Sequence, residues 1–186
     1  MPESNDIFEI MSTMRAMRRL KPDPVPDELI NKILQAGQWA PSGGNTQRWR
    51  FLVVKDREIK KKVQVYYKRQ HAAVEYLTDH YHEAPVWIVA CLEDGENPGR
   101  TAGSSIYGAV QNMCLATRAL GLGTTLTTRH TGYGKEVDAI FGLPPGAHSY
   151  AILPIGWPMG NFGKLGRGPL KDVVYGDQWG KPYAGL

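Results

Sequence analysis

Apolar residues recur every three or four positions in two stretches near the start of this chain. Over residues 6–18 this spacing predicts an amphipathic helix. The stretch 21–26 holds three prolines and is expected to end that helix, because proline cannot continue one. A second helix is predicted from Pro26, which suits a first helical turn, to about Ala40, where Pro41 ends it.

Short apolar runs farther along the chain predict strands. Residues 49–54 and 149–155 have the composition of strands, and 85–92 is an almost continuous apolar run, typical of a strand buried on both faces. Helices are predicted over 57–82 and 135–141. Together these elements predict an α+β fold, with a small central mixed sheet flanked by helices.

Two further segments point to extensive burial. The predicted helix 101–120 has no charged residue between Thr101 and Thr117, so it should be buried nearly all round, and a partner subunit would supply the cover. The tail 157–186 holds aromatic residues that a disordered tail rarely carries. We expect residues 1–186 to form one domain whose tail is an extended arm packed on another surface.

Composition narrows the class of protein. Its 186 residues and 42% hydrophobic content are typical of one soluble globular domain. No stretch approaches the roughly 20 apolar residues of a membrane span, and no signal peptide is visible at the start. Cys91 and Cys114 lie among apolar residues, so we expect two buried thiols and a reducing, cytoplasmic setting.

The net charge of +4 is concentrated near the start of the chain. The first 70 residues hold 14 Lys and Arg against 8 Asp and Glu, which could attract a phosphate or a nucleic acid. Lys60, Lys61 and Lys62 are interpreted as a solvated helix face. No zinc-knuckle spacing and no basic stripe interleaved with aromatic residues occurs, so nucleic-acid binding is not expected.

The loop between the second helix and the first strand is the strongest candidate for chemistry. Its two glycines let the backbone approach a flat ligand closely. Ser42, Asn45 and Gln47 can match the donor and acceptor edge of a heteroaromatic ring without burying a charge. The alternative is an ordinary helix C-cap followed by a turn, where Gly and Asn are expected anyway. The ring that we infer is a flavin.

Three other segments could take part in such a site. Arg15, Arg18 and Arg19 are expected at the end of the first helix, where they either bind a phosphate or interact with the helix dipole. The stretch 121–128 either lines a ring with backbone amides and hydroxyls or is a threonine-rich strand. Arg167, in a glycine-rich turn, either adds a cation to the site or is a solvated loop charge.

Several common motifs are absent from the sequence. It has no G-x-x-x-x-G-K-[ST] loop, no G-x-G-x-x-G and no G-x-S-x-G. These absences argue against P-loop phosphoryl transfer, a Rossmann dinucleotide site and a hydrolase nucleophile. His71, His80 and His82 lack metal-ligand spacing and are interpreted as solvated, while His130 and His148 stand alone. We therefore predict no metal site.

Taken in order, these segments resemble the nitroreductase family of FMN-dependent oxidoreductases, from about Ile7 to Trp179. Each stretch is weak alone, and five in the same order are specific. The stretches that carry the resemblance are RAMRRLKPDPVP (15–26), APSGGNTQRW (40–49), ALGLGTT (119–125), LPIGWP (153–158) and GRGPLKDVV (166–174).

The resemblance implies an intertwined homodimer with two FMN sites at the subunit interface, and a tail that wraps around the partner. The early arginine segment would meet the FMN phosphate and ribityl chain, and the late arginine would reach the phosphate, often from the partner chain. The threonine run matches the one with which the iodotyrosine deiodinase branch contacts the flavin ring. The cofactor-binding residues implied are Arg15, Ala16, Met17, Arg18, Ser42, Asn45, Gln47, Leu126, Thr127, Thr128 and Arg167.

The sequence departs from the family pattern at two places. Members often begin the early motif with two arginines and a serine, where this chain has Met14, Arg15 and Ala16. One phosphate donor and one hydroxyl are therefore missing, and Arg19 or Lys164 is expected to compensate. Members often have proline where Arg48 stands, and this extra cation either favours an anionic substrate or faces solvent.

The resemblance implies a ping-pong mechanism. NADH or NADPH would reduce the flavin and leave, and an electron-poor small molecule, such as a nitroaromatic or a quinone, would then take its place. Because the cofactor supplies the chemistry, no side chain is predicted to be a catalytic acid, base or nucleophile. The alternatives are a flavin-binding storage or regulatory protein, and a specialised branch such as a dehalogenase that NAD(P)H does not reduce directly.

Overall fold

The computed structural model describes residues 6–69, 79–96, 98–99, 101 and 103–186. Its helices are α1 (Ile7–Thr13), α2 (Asp27–Gln38), α3 (Arg57–Arg69), α4 (Gly103–Ala119) and α5 (Gly134–Phe141). Its strands are β1 (Trp49–Val54), β2 (Val86–Glu93), β3 (Gly123–Thr124) and β4 (Ala147–Gly156). The helix predicted over 57–82 is confirmed as far as Arg69, and residues 70–78 of that prediction, with His71, lie outside the described part.

The strands form one sheet in the order β1-β2-β4-β3. Every pairing among the described strands is antiparallel, so the α+β class is confirmed while the predicted mixed sheet is not. Strand direction depends on the path of the connecting segments, and the hydrophobic pattern of a strand carries no signal for it. The run predicted over 85–92 forms β2, which lies between β1 and β4.

Each face of the sheet carries its own hydrophobic core. Alternate residues of β2 point to opposite faces: Ile88 and Ala90 pack with the α2 and α4 side, and Trp87 and Val89 pack with the α3 and α5 side. All four are fully buried. Burial on both faces explains why this strand is apolar throughout instead of alternating.

Helix α4 lies against the sheet with α2 beside it. A Cβ atom on Gly37 of α2 would lie 2.8 Å from Cγ of Met113, so the two helices pack at a distance that only glycine allows. The opposite side of α4, with Ser104, Tyr107 and Gln111, is exposed. The single chain therefore leaves one uncharged helix face exposed, and its cover by a partner subunit stays a prediction.

The first helix is shorter than the hydrophobic spacing predicts. Asp6 is its N-cap, whose carboxylate accepts a hydrogen bond from the Phe8 amide at 2.9 Å, and the helix runs from Ile7 to Thr13. The following segment is extended because its amides find partners elsewhere: Met17 N donates to Thr124 O at 2.8 Å, and Lys21 N donates to Trp157 O at 2.8 Å. Long-range pairing therefore ends this helix well before the prolines.

The tail after β4 follows the surface. Its one regular element is a short 3-10 turn at Leu170–Asp172. Trp179 is 90% exposed and Val173 is 73% exposed in the single chain. Large exposed apolar side chains of this kind mark surfaces that another molecule covers. Packing of this arm on a partner therefore stays a prediction.

Two sequence expectations about single side chains have different outcomes. Cys91 and Cys114 are free and buried, as predicted. Lys60, by contrast, is not part of a solvated helix face, because it is only 3% exposed and its ammonium donates to the Ala84 and Pro85 carbonyls. The apolar spacing of α3 does not predict this burial, because the carbonyls that accept hydrogen bonds from the ammonium belong to another segment.

Candidate functional site

A cleft of about 560 Å³ opens where four separate segments meet. We call it the cationic cleft. The segments are the extended chain after α1, the middle of α4, the residues after β3, and the first part of the tail. Its lining residues are Met14, Arg15, Ala16, Arg18, Gln111, Cys114, Thr125, Leu126, Lys164, Leu165, Gly166 and Arg167.

Backbone hydrogen bonds hold these segments together. Leu165 N donates to Ser12 O at 2.8 Å, and Met159 N donates to Arg19 O at 3.1 Å, so the tail is tied to the segment after α1. The bond from Met17 N to Thr124 O ties that segment to β3. The cleft is therefore a product of long-range backbone pairing rather than of one local motif.

Positive charge dominates the cleft. Arg15, Arg18, Lys164 and Arg167 all line it, and no acidic residue occurs among the described lining residues. Arginine offers a planar fork of donors and lysine a compact charge, a combination suited to a phosphate group. Of the two cations expected to compensate for the missing arginine, Lys164 lines the cleft, whereas Arg19 is not among its lining residues.

The rest of the cleft is neutral. Gln111, Thr125 and Leu126 provide an amide, a hydroxyl and an apolar side chain. Cys114 is a poor nucleophile here, because burial raises the pKa of its thiol to about 12. With no histidine or carboxylate among the described lining residues, the cleft offers no acid–base pair. Its donor set fits a bound anionic group that brings its own chemistry.

The predicted threonine run is only partly at the cleft. Leu126 is 42% exposed and lines it. Thr127 is buried, pairs through its backbone with Ile152, and donates from its hydroxyl to Tyr67 at 3.4 Å. Thr128 lies at the start of a 3-10 turn and does not line the cleft. The neighbouring Thr125 does line it; this residue lies in the stretch 121–128 indicated from sequence but is not among the cofactor-binding residues that the resemblance implies.

A buried polar network lies behind this run and was missed from sequence. His130, expected to stand alone, is fully buried, with Nδ1 3.4 Å from the Tyr67 hydroxyl and Nε2 3.3 Å from the Ser149 carbonyl. Burial lowers the pKa of His130, so the ring is neutral at pH 7. His130 and its two partners come from three distant segments, which no local motif indicates.

The loop with Ser42, Asn45 and Gln47 lies elsewhere on the chain. Gly43 N donates to the Ser105 hydroxyl at 3.1 Å, which fixes the loop at the first turn of α4. The loop is exposed, and none of its residues lines the cationic cleft of the same chain. Met17, the remaining predicted residue, is buried in a hydrophobic cluster and does not line the cleft.

The backbone of this loop has a strained conformation of the kind found at binding sites. Asn45 has φ +53° and Gln47 has φ +49°, both in the left-handed region that non-glycine residues rarely adopt. The Gln47 amide group donates to Asn45 Oδ1 at 3.1 Å, and Gln47 N donates to Ser42 Oγ at 3.1 Å. Such strain persists where surrounding bonds over-determine the conformation, and it clusters at binding sites.

Comparison with known proteins identifies the class that this fold and cleft define. The model of the Nitroreductase family matches residues 12–157 of the chain. That range includes α2, α4, the whole sheet and most of the segments around the cleft. The chain belongs to the nitroreductase family, and is therefore an oxidoreductase by family.

Individual relatives and solved structures are consistent with this family assignment. A protein of Methanothermobacter thermautotrophicus named "Putative NADH dehydrogenase/NAD(P)H nitroreductase" is 30% identical over 85% of this chain and 80% of its own length. Iodotyrosine deiodinase 1 of Rattus norvegicus is 26% identical over 83% of this chain and 63% of its own length. The structure of the NADPH:FMN oxidoreductase from Vibrio harveyi complexed with NAD+ superposes with a TM-score of 0.81, at 22% identity, covering 94% of this chain and 78% of that one.

Proposed function

We propose that this protein is an FMN-dependent oxidoreductase that uses NADH or NADPH to reduce an electron-poor small molecule. The observation that carries the proposal is the cationic cleft. Four cations without a described carboxylate lie beside an uncharged surface, as a cofactor with a phosphate at one end and a ring at the other requires. The named relatives, which include an NADPH:FMN oxidoreductase, support the same reading.

Each part of the cleft has a task in this proposal. Arg15, Arg18, Lys164 and Arg167 would hold the phosphate, and the neutral residues beside them would face the ribityl chain and the ring. FMN, when bound, supplies the redox chemistry. The protein's own groups would bind and orient it, and nearby cations and backbone amides would stabilise negative charge that develops on the reduced ring.

We propose a ping-pong order of reaction. In this order the nicotinamide needs only a transient place over the open face of the flavin, which accounts for the absence of a G-x-G-x-x-G fingerprint from the sequence. The acceptor, a nitroaromatic, a quinone or a similar compound, would then occupy the same place. No described lining residue has to act as an acid, base or nucleophile.

We further propose that the protein is a homodimer and that each FMN site is shared. The uncharged exposed face of α4 and the exposed apolar side chains of the tail are surfaces that a second copy would cover. Ser42, Asn45 and Gln47 would reach the flavin from the partner, since they do not line the cleft of their own chain. In this arrangement the flavin is the ligand of the loop, which accounts for the strained backbone of the loop.

We also propose that the protein works in the cytoplasm. Both described cysteines are free and buried, which suits a reducing compartment. Among the residues that the structure describes, no helix has both the length and the apolar character needed to cross a bilayer.

The test is an absorbance spectrum of the purified protein, followed by anaerobic titration with NADH and with NADPH. The proposal predicts the visible absorption of oxidised flavin and its rapid bleaching by at least one of the two nucleotides. Addition of a nitroaromatic or a quinone should then restore the absorption. Protein that is colourless and binds no added FMN would contradict the proposal.

A second candidate is a dehalogenase-like enzyme whose flavin is reduced by another donor. The observation that favours it is the similarity to iodotyrosine deiodinase 1, together with the exposed Leu126 that lines the cleft. It predicts slow bleaching by NAD(P)H but rapid turnover of a halogenated phenol after dithionite reduction. A flavin storage protein would show neither reaction.

A further inference from the structure

A second cleft, of about 600 Å³, lies away from the cationic cleft and shares none of its lining residues. We call it the proline-lined cleft. It is formed by the loop before α2, the end of β1, the first turn of α3 and the start of β2. Pro22, Pro24 and Pro85 give it rigid apolar walls. The volume of the cleft suits a small organic molecule.

Lys60 is the unusual residue of this cleft. Although it is only 3% exposed, its Nζ donates to the Ala84 carbonyl at 2.6 Å and to the Pro85 carbonyl at 3.2 Å. An ammonium group has three N–H donors, so one is left for the cleft that Lys60 lines. Among the described residues no carboxylate lies within ion-pair distance of it.

The other charges around the cleft leave an excess of cations. Lys55 is paired with Asp27, and Glu83, the one carboxylate among the described lining residues, lies 3.1 Å from Nδ1 of His80, an ion pair only when that ring is protonated. Arg57 lines the cleft and forms no ion pair with a described carboxylate. It lies close enough to Lys60 to repel it: burial and this repulsion together lower the pKa of Lys60 to about 8.

His82 adds a third group of the same sign when protonated. Its Nδ1 lies 2.5 Å from Gln64 Oε1, and because an amide oxygen can only accept, Nδ1 carries the proton. Nε2 is therefore the ring nitrogen left for a ligand. Burial lowers the pKa of His82, Glu83 raises it, and Arg57, Lys61 and Lys60 lower it further, so the net shift is downward.

We propose that the proline-lined cleft binds an organic anion, a carboxylate or a phosphate monoester with an apolar body. Arg57 and Lys60 would hold the anionic group, and the three prolines would pack against the body. A bound anion would relieve the repulsion between the two cations, which gives the site a physical reason to be filled. The alternative is that Lys60 serves only to donate hydrogen bonds to the two carbonyls. In that case Arg57 would not contribute to ligand binding.

The experiment is calorimetric titration of the FMN-loaded protein with inorganic phosphate, benzoate and the neutral benzamide, at constant ionic strength. Loading with FMN occupies the cationic cleft, a step that rests on the proposed function. The variant is Arg57→Gln, and the matched control is Lys62→Gln, which removes one exposed charge from the same helix. We expect one saturable site per chain for phosphate, benzoate or both, and none for benzamide. Affinity should fall at least tenfold in Arg57→Gln and stay unchanged in Lys62→Gln.

The arms of the experiment separate the ligand classes. Binding of phosphate alone supports a phosphate monoester, binding of benzoate alone supports a carboxylate, and binding of both supports recognition of charge. Absence of saturable binding by both anions would overturn the proposal. So would an equal loss in Arg57→Gln and Lys62→Gln, which would indicate general surface charge, or a loss confined to Arg167→Ala, which would place the anion in the cationic cleft.

Discussion

At the scale of single residues, the surroundings of each cation decide what it can do. Arg15 and Arg167 lie in an open cleft with no described acidic neighbour, and so remain available to a ligand. Arg118, by contrast, is buried, with its guanidinium 4.3 Å from the Phe162 ring and its Nε donating to Thr13. Lys60 is buried against backbone carbonyls. The sequence alone gives these four side chains the same charge and no means to tell them apart.

Removal of one phosphate-binding arginine should weaken FMN binding. In Arg167→Ala we expect the dissociation constant for FMN to rise about 10- to 100-fold, since hydrogen bonds to charged groups contribute roughly 1.5–3 kcal/mol. Quenching of FMN fluorescence measures it. Lys171→Ala is the control, because Lys171 is exposed in the same tail but does not line the cleft. Equal affinity of Arg167→Ala and the unaltered chain would remove this residue from the site.

The buried Lys60 should give the protein a distinctive pH dependence. Its folded-state pKa is about 8 against 10.5 for the free side chain, so between these values the unfolded state binds more protons at this group and the contribution of Lys60 to stability rises with pH. Cys91 and Cys114, whose pKa values burial raises to about 12, act in the opposite direction, so the Lys60 contribution is read from the difference between two chains. In urea unfolding, the stability of the unaltered chain relative to Lys60→Met should increase by about 2 kcal/mol over this range. Relative to Lys62→Met it should stay constant. A constant difference from Lys60→Met would contradict the assignment.

At the scale of elements, local pattern predicted the sheet better than the ends of helices. The limits predicted for β1, 49–54, are those observed, because its aromatic and β-branched residues give the strand a clear composition. The limits of α1 were wrong because the amides beyond Thr13 bond to β3 and to the chain after β4. Such partners are set by the tertiary fold, and hydrophobic periodicity cannot report them.

The uncharged face of α4 should be the centre of a subunit interface. Ser104→Glu places a carboxylate on this face near the helix N-terminus, where the dipole favours it, so the single chain should not be destabilised. We expect the mass in solution to move from twice 20.7 kDa toward 20.7 kDa, as measured by light scattering. Lys135→Glu, in the first turn of α5, is the control. Dimers of undiminished stability in Ser104→Glu would exclude this face.

At the scale of the whole molecule, the two halves of the proposed site lie apart. The loop is fixed at Ser105 and the cleft reaches Cys114, about 13 Å farther along α4 at about 1.5 Å per residue. The sequence could indicate most of the residues involved, because glycine-rich and arginine-rich stretches are local signals. The sequence could not show that the loop and the cleft lie apart in one chain. Their separation depends on where each of them contacts α4.

Mixed dimers test the shared site most directly. Arg167→Ala damages the cleft, and Asn45→Gly removes a loop amide while glycine keeps the left-handed backbone at φ +53°. In a dimer of one chain of each kind, a shared site places both defects in one site and leaves the other intact. An FMN fluorescence titration should therefore find one site of unaltered affinity per mixed dimer and none in either parent. Two equally weakened sites in the mixed dimer would contradict the account.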